Sequence, residues 1–120
     1  MSISPSEKIK VSIEGNIATI VIDNPGANTW DRESLPALRQ VIETLNGEPT
    51  VYALVLTGAG QKFFSAGADL NQFASGDADV ARAVGEAFGE AFETLADFRG
   101  VSIAAINGFA MGGGLEVALA

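Results

Sequence analysis

The chain has 120 residues, with seven Lys and Arg against fifteen Asp and Glu, a net charge of −8, and neither His nor Cys. Those two absences exclude a Ser-His-Asp or Cys-His catalytic arrangement, a Cys/His zinc site, an iron–sulfur cluster and any disulfide within these residues. Proton transfer near neutral pH then falls to a carboxylate, a Lys or the single Tyr52. The acidic balance and the scatter of the basic residues argue against nucleic-acid or anionic-membrane binding, which needs clustered Lys and Arg. A length of 120 residues fits one domain.

In chain order, residues 9–13 alternate apolar and polar, and residues 18–22 are apolar and β-branched. With Glu14-Gly15-Asn16 between them they predict a β-hairpin. Asp23-Asn24-Pro25-Gly26 breaks the second strand. Leu35, Leu38, Val41, Ile42 and Leu45 fall at helical spacing. They predict a helix over 32–45, with Asp31 as N-cap, Pro36 tolerated in the first turns and Asn46-Gly47 as the stop.

Residues 51–57 read as an apolar strand buried on both faces. A glycine-rich loop over 58–69 follows it. Val80, Val84, Phe88, Phe92, Leu95 and Phe98 form one stripe of a helix over 79–98, and core packing accounts for its phenylalanines. Residues 101–106 predict another buried strand, 107–111 a turn, and Gly113 the start of a third helix. The order ββ–α–β–loop–α–β–loop–α predicts an α/β domain with a crossover-connected sheet.

No signal peptide is visible at the N-terminus, so the expected localisation is cytoplasmic. Residues 101–120 carry one charge, Glu116, but Asn107-Gly108 interrupts them and no basic residue follows, so no membrane span is expected. The final apolar helical run has no capping glycine and no basic last turn, which predicts the front part of a longer protein.

The chain is rich in glycine, 14 of 120, and many of these glycines fall in the loop after residue 57 and in residues 108–114. Neither stretch is a nucleotide-binding motif, because Gly112-Gly113-Gly114-Leu115 lacks the Lys-Ser/Thr of a phosphate loop. Small residues at 65–68 leave backbone N–H groups accessible. Gly112-Gly113-Gly114 opens a helix, whose first N–H groups have no intrahelical partner. One N–H from each loop could together hold a carbonyl oxygen that gains negative charge. Glu116 stands about one turn inside that helix, and burial there would raise its pKa and suit it to proton transfer. From spacing alone two readings stay open, a ligand site or loops that only pack helix against strand.

Phe64-Ser65-Ala66-Gly67-Ala68-Asp69-Leu70, followed by Ala104-Ala105-Ile106-Asn107-Gly108-Phe109-Ala110-Met111-Gly112-Gly113-Gly114-Leu115-Glu116, resembles the crotonase superfamily, specifically its enoyl-CoA hydratases and isomerases. The resemblance implies a spiral of repeated ββα units, here ending before the C-terminal helical region, so that residues 1–120 are the N-terminal part of a single core domain. It implies an acyl-CoA thioester substrate, with coenzyme A as part of the substrate, no further cofactor and no metal.

Residue by residue, the resemblance implies Ala68 and Gly113 as oxyanion-hole donors and Glu116 as the first of two catalytic glutamates, the second lying beyond Ala120. It implies that Ala66, Gly67, Ala68, Asp69, Leu70, Met111 and Gly112 contact the acyl-CoA. The reaction implied is addition of water to a 2-enoyl-CoA in fatty-acid or branched-chain acyl-CoA degradation. Double-bond isomerisation or another crotonase reaction is the alternative, as is a catalytically incomplete fragment with an assembly role. The complete protein is expected to be a homotrimer or hexamer. Where many relatives carry Lys after the Asp-Leu pair this chain has Asn71, and Asn24 and Gly26 stand where relatives often carry Arg or Lys. Charge support for coenzyme A is then expected from Lys62, from the absent part or from a neighbouring subunit.

Overall fold

The computed structural model describes residues 3–69, 71 and 76–120. Strands β1 (Ile9–Glu14) and β2 (Ile17–Ile22) form the expected hairpin. Gly15 at its turn takes a φ of +60°, a conformation that a side chain disfavours. β2 pairs parallel with β3 (Ala53–Gly58), which pairs parallel with β5 (Val101–Ala104), giving the sheet order β1-β2-β3-β5. The two parallel crossovers run through helices α1 (Ser34–Asn46) and α2 (Ala78–Ala96), as the alternating order predicts.

Both helices pack on one face of the sheet. Ile9, Ala18, Ile20, Ile22, Leu54 and Leu56 from that face meet Leu35, Leu38, Val41, Ile42 and Leu45 of α1 and Ala91 and Leu95 of α2 in one buried core. In the stripe on α2, Val84 and Leu95 are buried, and Phe88 and Phe92 pack partly buried against the core.

Asp31 caps α1 as the sequence predicts. Its Oδ1 accepts from the N–H groups of Glu33 and Ser34 at 3.0 and 2.8 Å, and the Ser34 Oγ accepts from the Asp31 N–H at 2.9 Å. This is a reciprocal cap. The Leu35 N–H donates to the Asp31 carbonyl at 3.1 Å, so the first turn is wound although the regular helix begins at Ser34. The end differs in detail. Gly47 stays right-handed at φ −83°, and the Gly47 and Glu48 N–H groups close short turns onto Thr44 and Leu45.

Three expectations need correction. β3 is buried on one face only, because both helices lie on that side and Ala53, Val55 and Thr57 of the other are half-exposed. The strand expected over 101–106 ends at Ala104 and is exposed, with Val101 at 60% and Ile103 at 49%. It is a sheet edge with no further strand beside it among the described residues. The glycine-rich stretches also hold more structure than loops and turns. β4 (Phe63–Ser65) pairs parallel with β6 (Phe109–Ala110), a second small sheet that joins them.

Candidate active site

The two glycine stretches meet at helix α3 (Gly113–Leu119), which starts where β6 ends. Backbone contact without intervening side chains sets the junction. A Cβ on Gly114 would stand 2.0 Å from the Ser65 carbonyl oxygen, so only glycine lets α3 seat on β4. A Cβ on Gly67 would stand 3.0 Å from both the Gly113 nitrogen and the Met111 oxygen, and Gly67 has a φ of +98°. The Met111 N–H donates to the Ser65 carbonyl at 3.0 Å, closing the pair.

A third segment frames the junction. Asn28 is buried at φ +52°, and its Nδ2 donates to the carbonyls of Ala59 and Phe63 at 3.0 and 3.1 Å. Trp30 forms a parallel bridge with Ala68: its N–H donates to the Gly67 carbonyl at 2.7 Å, and its carbonyl accepts from the Asp69 N–H at 2.9 Å. In such a pairing the intervening residue turns its own N–H to the other side. Among the described residues, the Ala68 N–H accordingly has no hydrogen-bond partner. Nor has the Gly113 N–H, while its neighbour Gly114 donates to the Met111 carbonyl at 2.8 Å.

Both residues border one open groove of about 490 Å³, lined by Thr29, Ala66, Ala68, Asp69, Asn71, Gly112 and Gly113. The structure thus brings together Ala66, Ala68, Asp69, Gly112 and Gly113 of the expected contact residues. Gly67 sits buried behind the groove, Met111 is exposed and outside its lining, and Leu70 lies outside the described residues.

Glu116 is one turn inside α3, its N–H donating to the Gly112 carbonyl at 3.0 Å. Its side chain is exposed, so the burial expected of it is not provided by the described residues. Lys62 is outside the groove lining, with its Nζ 5.5 Å over the Phe63 ring. Thr29 and Trp30 carry no site signal in the sequence, whereas position 71 is flagged by the resemblance as one where many relatives carry Lys. Thr29 and Trp30 follow a turn whose path back to residue 68 no local pattern announces. Asn28 carries a signal, since Asn in a turn that opens with Pro25-Gly26 tolerates a left-handed backbone.

A family model for enoyl-CoA hydratase/isomerase matches residues 12–120. The chain belongs to the enoyl-CoA hydratase/isomerase family. It is 39% identical over 115 residues to a carnitinyl-CoA dehydratase of Salmonella arizonae, covering 96% of this chain and 44% of that protein. Among solved structures it resembles Pseudomonas aeruginosa DspI, with 64% identity and a TM-score of 0.93 over 95% of this chain and 47% of that one. It also resembles an enoyl-CoA hydratase of Bacillus anthracis, with 31% identity and a TM-score of 0.90 over 94% and 45%. The chain therefore spans less than half the length of these relatives.

The expected crotonase-type α/β architecture holds at this level of similarity. Among the described residues no helix is long and apolar enough to cross a membrane, and residues 101–120 divide into β5, β6 and α3.

Proposed function

We propose that the whole protein adds water to, or removes it from, an acyl-CoA thioester, working on the 2-enoyl-CoA/3-hydroxyacyl-CoA pair. The observation that carries this reading is the pair of unpartnered N–H groups, Ala68 and Gly113, on one groove. A thioester oxygen between them would accept from both, and the negative charge it gains as the α-carbon becomes nucleophilic would be held by fixed dipoles. Met111, Gly112, Ala66, Gly67, Asp69 and Leu70 shape the surrounding acyl-CoA contacts in this reading, and coenzyme A enters as part of the substrate.

Glu116 is the proton-transfer group, one helical turn from Gly112. In the hydration direction it takes a proton from water as the oxygen bonds to the β-carbon and the C=C π pair moves onto the thioester, and the second carboxyl group gives its proton to the α-carbon as the enolate collapses. In this reading the groups that face the α3 N-terminus in the complete fold bury Glu116 and include a second carboxylate. The similarity to a carnitinyl-CoA dehydratase favours elimination as a working direction. The assembly proposed is a homotrimer or hexamer, and the pathway proposed is acyl-CoA degradation.

The deciding experiment is on the whole protein. It is expected to hydrate a short 2-enoyl-CoA, and Glu116→Gln is expected to lower kcat by about 10²–10⁴-fold with acyl-CoA affinity nearly unchanged. Near-normal turnover in that variant would overturn the role of Glu116. Conversion of a 3-enoyl-CoA with no hydration would replace the hydratase reading by an isomerase.

A further inference from the structure

Trp30 is the largest fully buried side chain and the only tryptophan of the chain, and it touches both halves of the groove by different means. Its main chain holds the Ala68 segment through bonds of 2.7 Å to Gly67 and 2.9 Å from Asp69. Those two bonds grip the residues on either side of Ala68 and leave its N–H directed away. Its ring stands behind the other donor: a Cβ on Gly113 would lie 3.5 Å from the indole Cδ1 and 3.0 Å from the Phe88 Cε1. Phe92 meets the indole edge-on at 5.9 Å between centroids, and Phe88 meets Phe92 edge-on at 5.5 Å. The indole is therefore wedged between α2 and the start of α3.

Among the described residues nothing polar fixes the ring. The indole Nε1 is buried without a hydrogen-bond partner among the described residues. An unmet buried donor of this kind costs free energy, which the packing of the large ring offsets. The shape of the ring sets its contacts: a smaller side chain would keep the main-chain bridge to Ala68 and leave open space beside Gly113.

We propose that Trp30 is a positioning residue that sets the separation and aim of the Ala68 and Gly113 N–H donors. It fixes the first through its backbone and the second through the Trp30–Phe92–Phe88 wedge. It does not touch the reacting atoms. This rests on the reading of the groove as an acyl-thioester site, and it adds that the donor spacing is controlled from the segment before α1, which belongs to neither glycine stretch. Because donor aim matters most when the oxygen carries charge, losing the wedge lowers kcat and kcat/KM together and leaves ground-state binding largely alone.

The test uses the whole protein with Trp30→Phe and Trp30→Leu. Two readouts are taken: steady-state hydration of a 2-enoyl-CoA, and the red shift of a chromophoric, conjugated 2-enoyl-CoA on binding, which reports polarisation of the thioester carbonyl. Trp30→Leu is expected to lose kcat by about a hundredfold, the scale of a misplacement of about 1 Å, with KM little changed and the red shift diminished. Trp30→Phe is expected to fall between Leu and wild type on both readouts and to lose less thermal stability than Trp30→Leu, since its ring leaves less of the space beside Gly113 empty.

Wild-type kcat and an undiminished red shift in Trp30→Leu would overturn the positioning role. So would a raised KM at unchanged kcat, which would place Trp30 on the substrate wall. If the Leu variant does not fold, Trp30→Phe decides by the same two readouts. Wild-type protein that neither hydrates the thioester nor shifts its spectrum would overturn the acyl-thioester reading itself, an outcome distinct from an unchanged shift in the variants.

Discussion

At the scale of single residues, the groove is defined by the side chains it lacks. Gly67 occupies a left-handed backbone conformation and leaves less room than a methyl group needs between the two glycine stretches. Gly67→Ala meets both objections at once: it strains φ and pushes on the Gly113 nitrogen and the Met111 oxygen. It is expected to destabilise the fold by about 1–3 kcal/mol and, in the whole protein, to lower kcat more than acyl-CoA affinity, because it displaces the Gly113 donor. Thermal unfolding and steady-state kinetics check the two parts. Wild-type stability in the Gly67→Ala variant would mean that the loops are not in contact at this point.

This much was legible in the sequence, since glycine runs beside small residues announce close backbone approach. The exposure of Glu116 was not legible. Its apolar neighbours, Leu115 and Val117, suggested burial, yet on this short helix Gly114 and Val117 are the buried residues and Glu116 faces out.

At the scale of elements, the entry to α1 joins three segments. Lys8 donates to Asp31 at 2.6 Å, Asn24 donates to the same carboxylate at 3.1 Å, and the remaining carboxylate oxygen caps the helix. Burial pushes the Asp31 pKa up, but the Lys8 bond and the N–H groups of Ser34 and Glu33 outweigh it and leave it below the ordinary value. Lys8 is raised in turn, chiefly by its bond to Asp31. A depressed folded-state pKa means stability that is present above the unfolded value of about 3.9 and lost as pH falls through the folded value. Acid unfolding monitored between neutral pH and pH ~2 is therefore expected to steepen below about pH 4 in the wild type and less so in Asp31→Asn.

Asp31→Asn keeps a capping side chain and loses the ion pair, whereas Asp31→Ala loses both, with the cap alone worth about 1 kcal/mol. Equal stability of the two variants would show that the cap contributes nothing. The hairpin, both long helices and the presence of β3 were readable because each carries a local period or a turn signal. β4 and β6 were not, since three and two residues carry no period. Their pairing rests on close backbone contacts distant in sequence, Gly108 on Lys62 and Gly114 on Ser65.

At the scale of the molecule, the sheet has two unlike faces. One is sealed by α1 and α2. On the other, Ile17 aligns with Ala53 and Val101, and Thr19 aligns with Val55 and Ile103. This row of apolar and small residues includes Ile17 at 48% and Val101 at 60% exposure, and on α3 Leu119 stands at 79%. Expansion of the chain does not explain the exposure. A radius of gyration of 13.7 Å is that of a compact domain of this length, about 13–14 Å. The apolar face therefore belongs to the folded arrangement, and a face of this extent is one that a monomeric protein rarely leaves to water.

The 120-residue chain on its own is accordingly expected to bind a hydrophobic dye at neutral pH and to self-associate. The net charge of −8 opposes association at low salt, so light scattering should rise as added salt screens the repulsion. Covering the face should reverse both effects: Ile103→Lys, on the exposed edge strand, is expected to reduce dye binding and scattering together. A chain that stays monomeric at high salt, binds no dye and unfolds in one sharp transition would show that this face is stable in water. The apolar rows across β2, β3 and β5 would then need no partner surface.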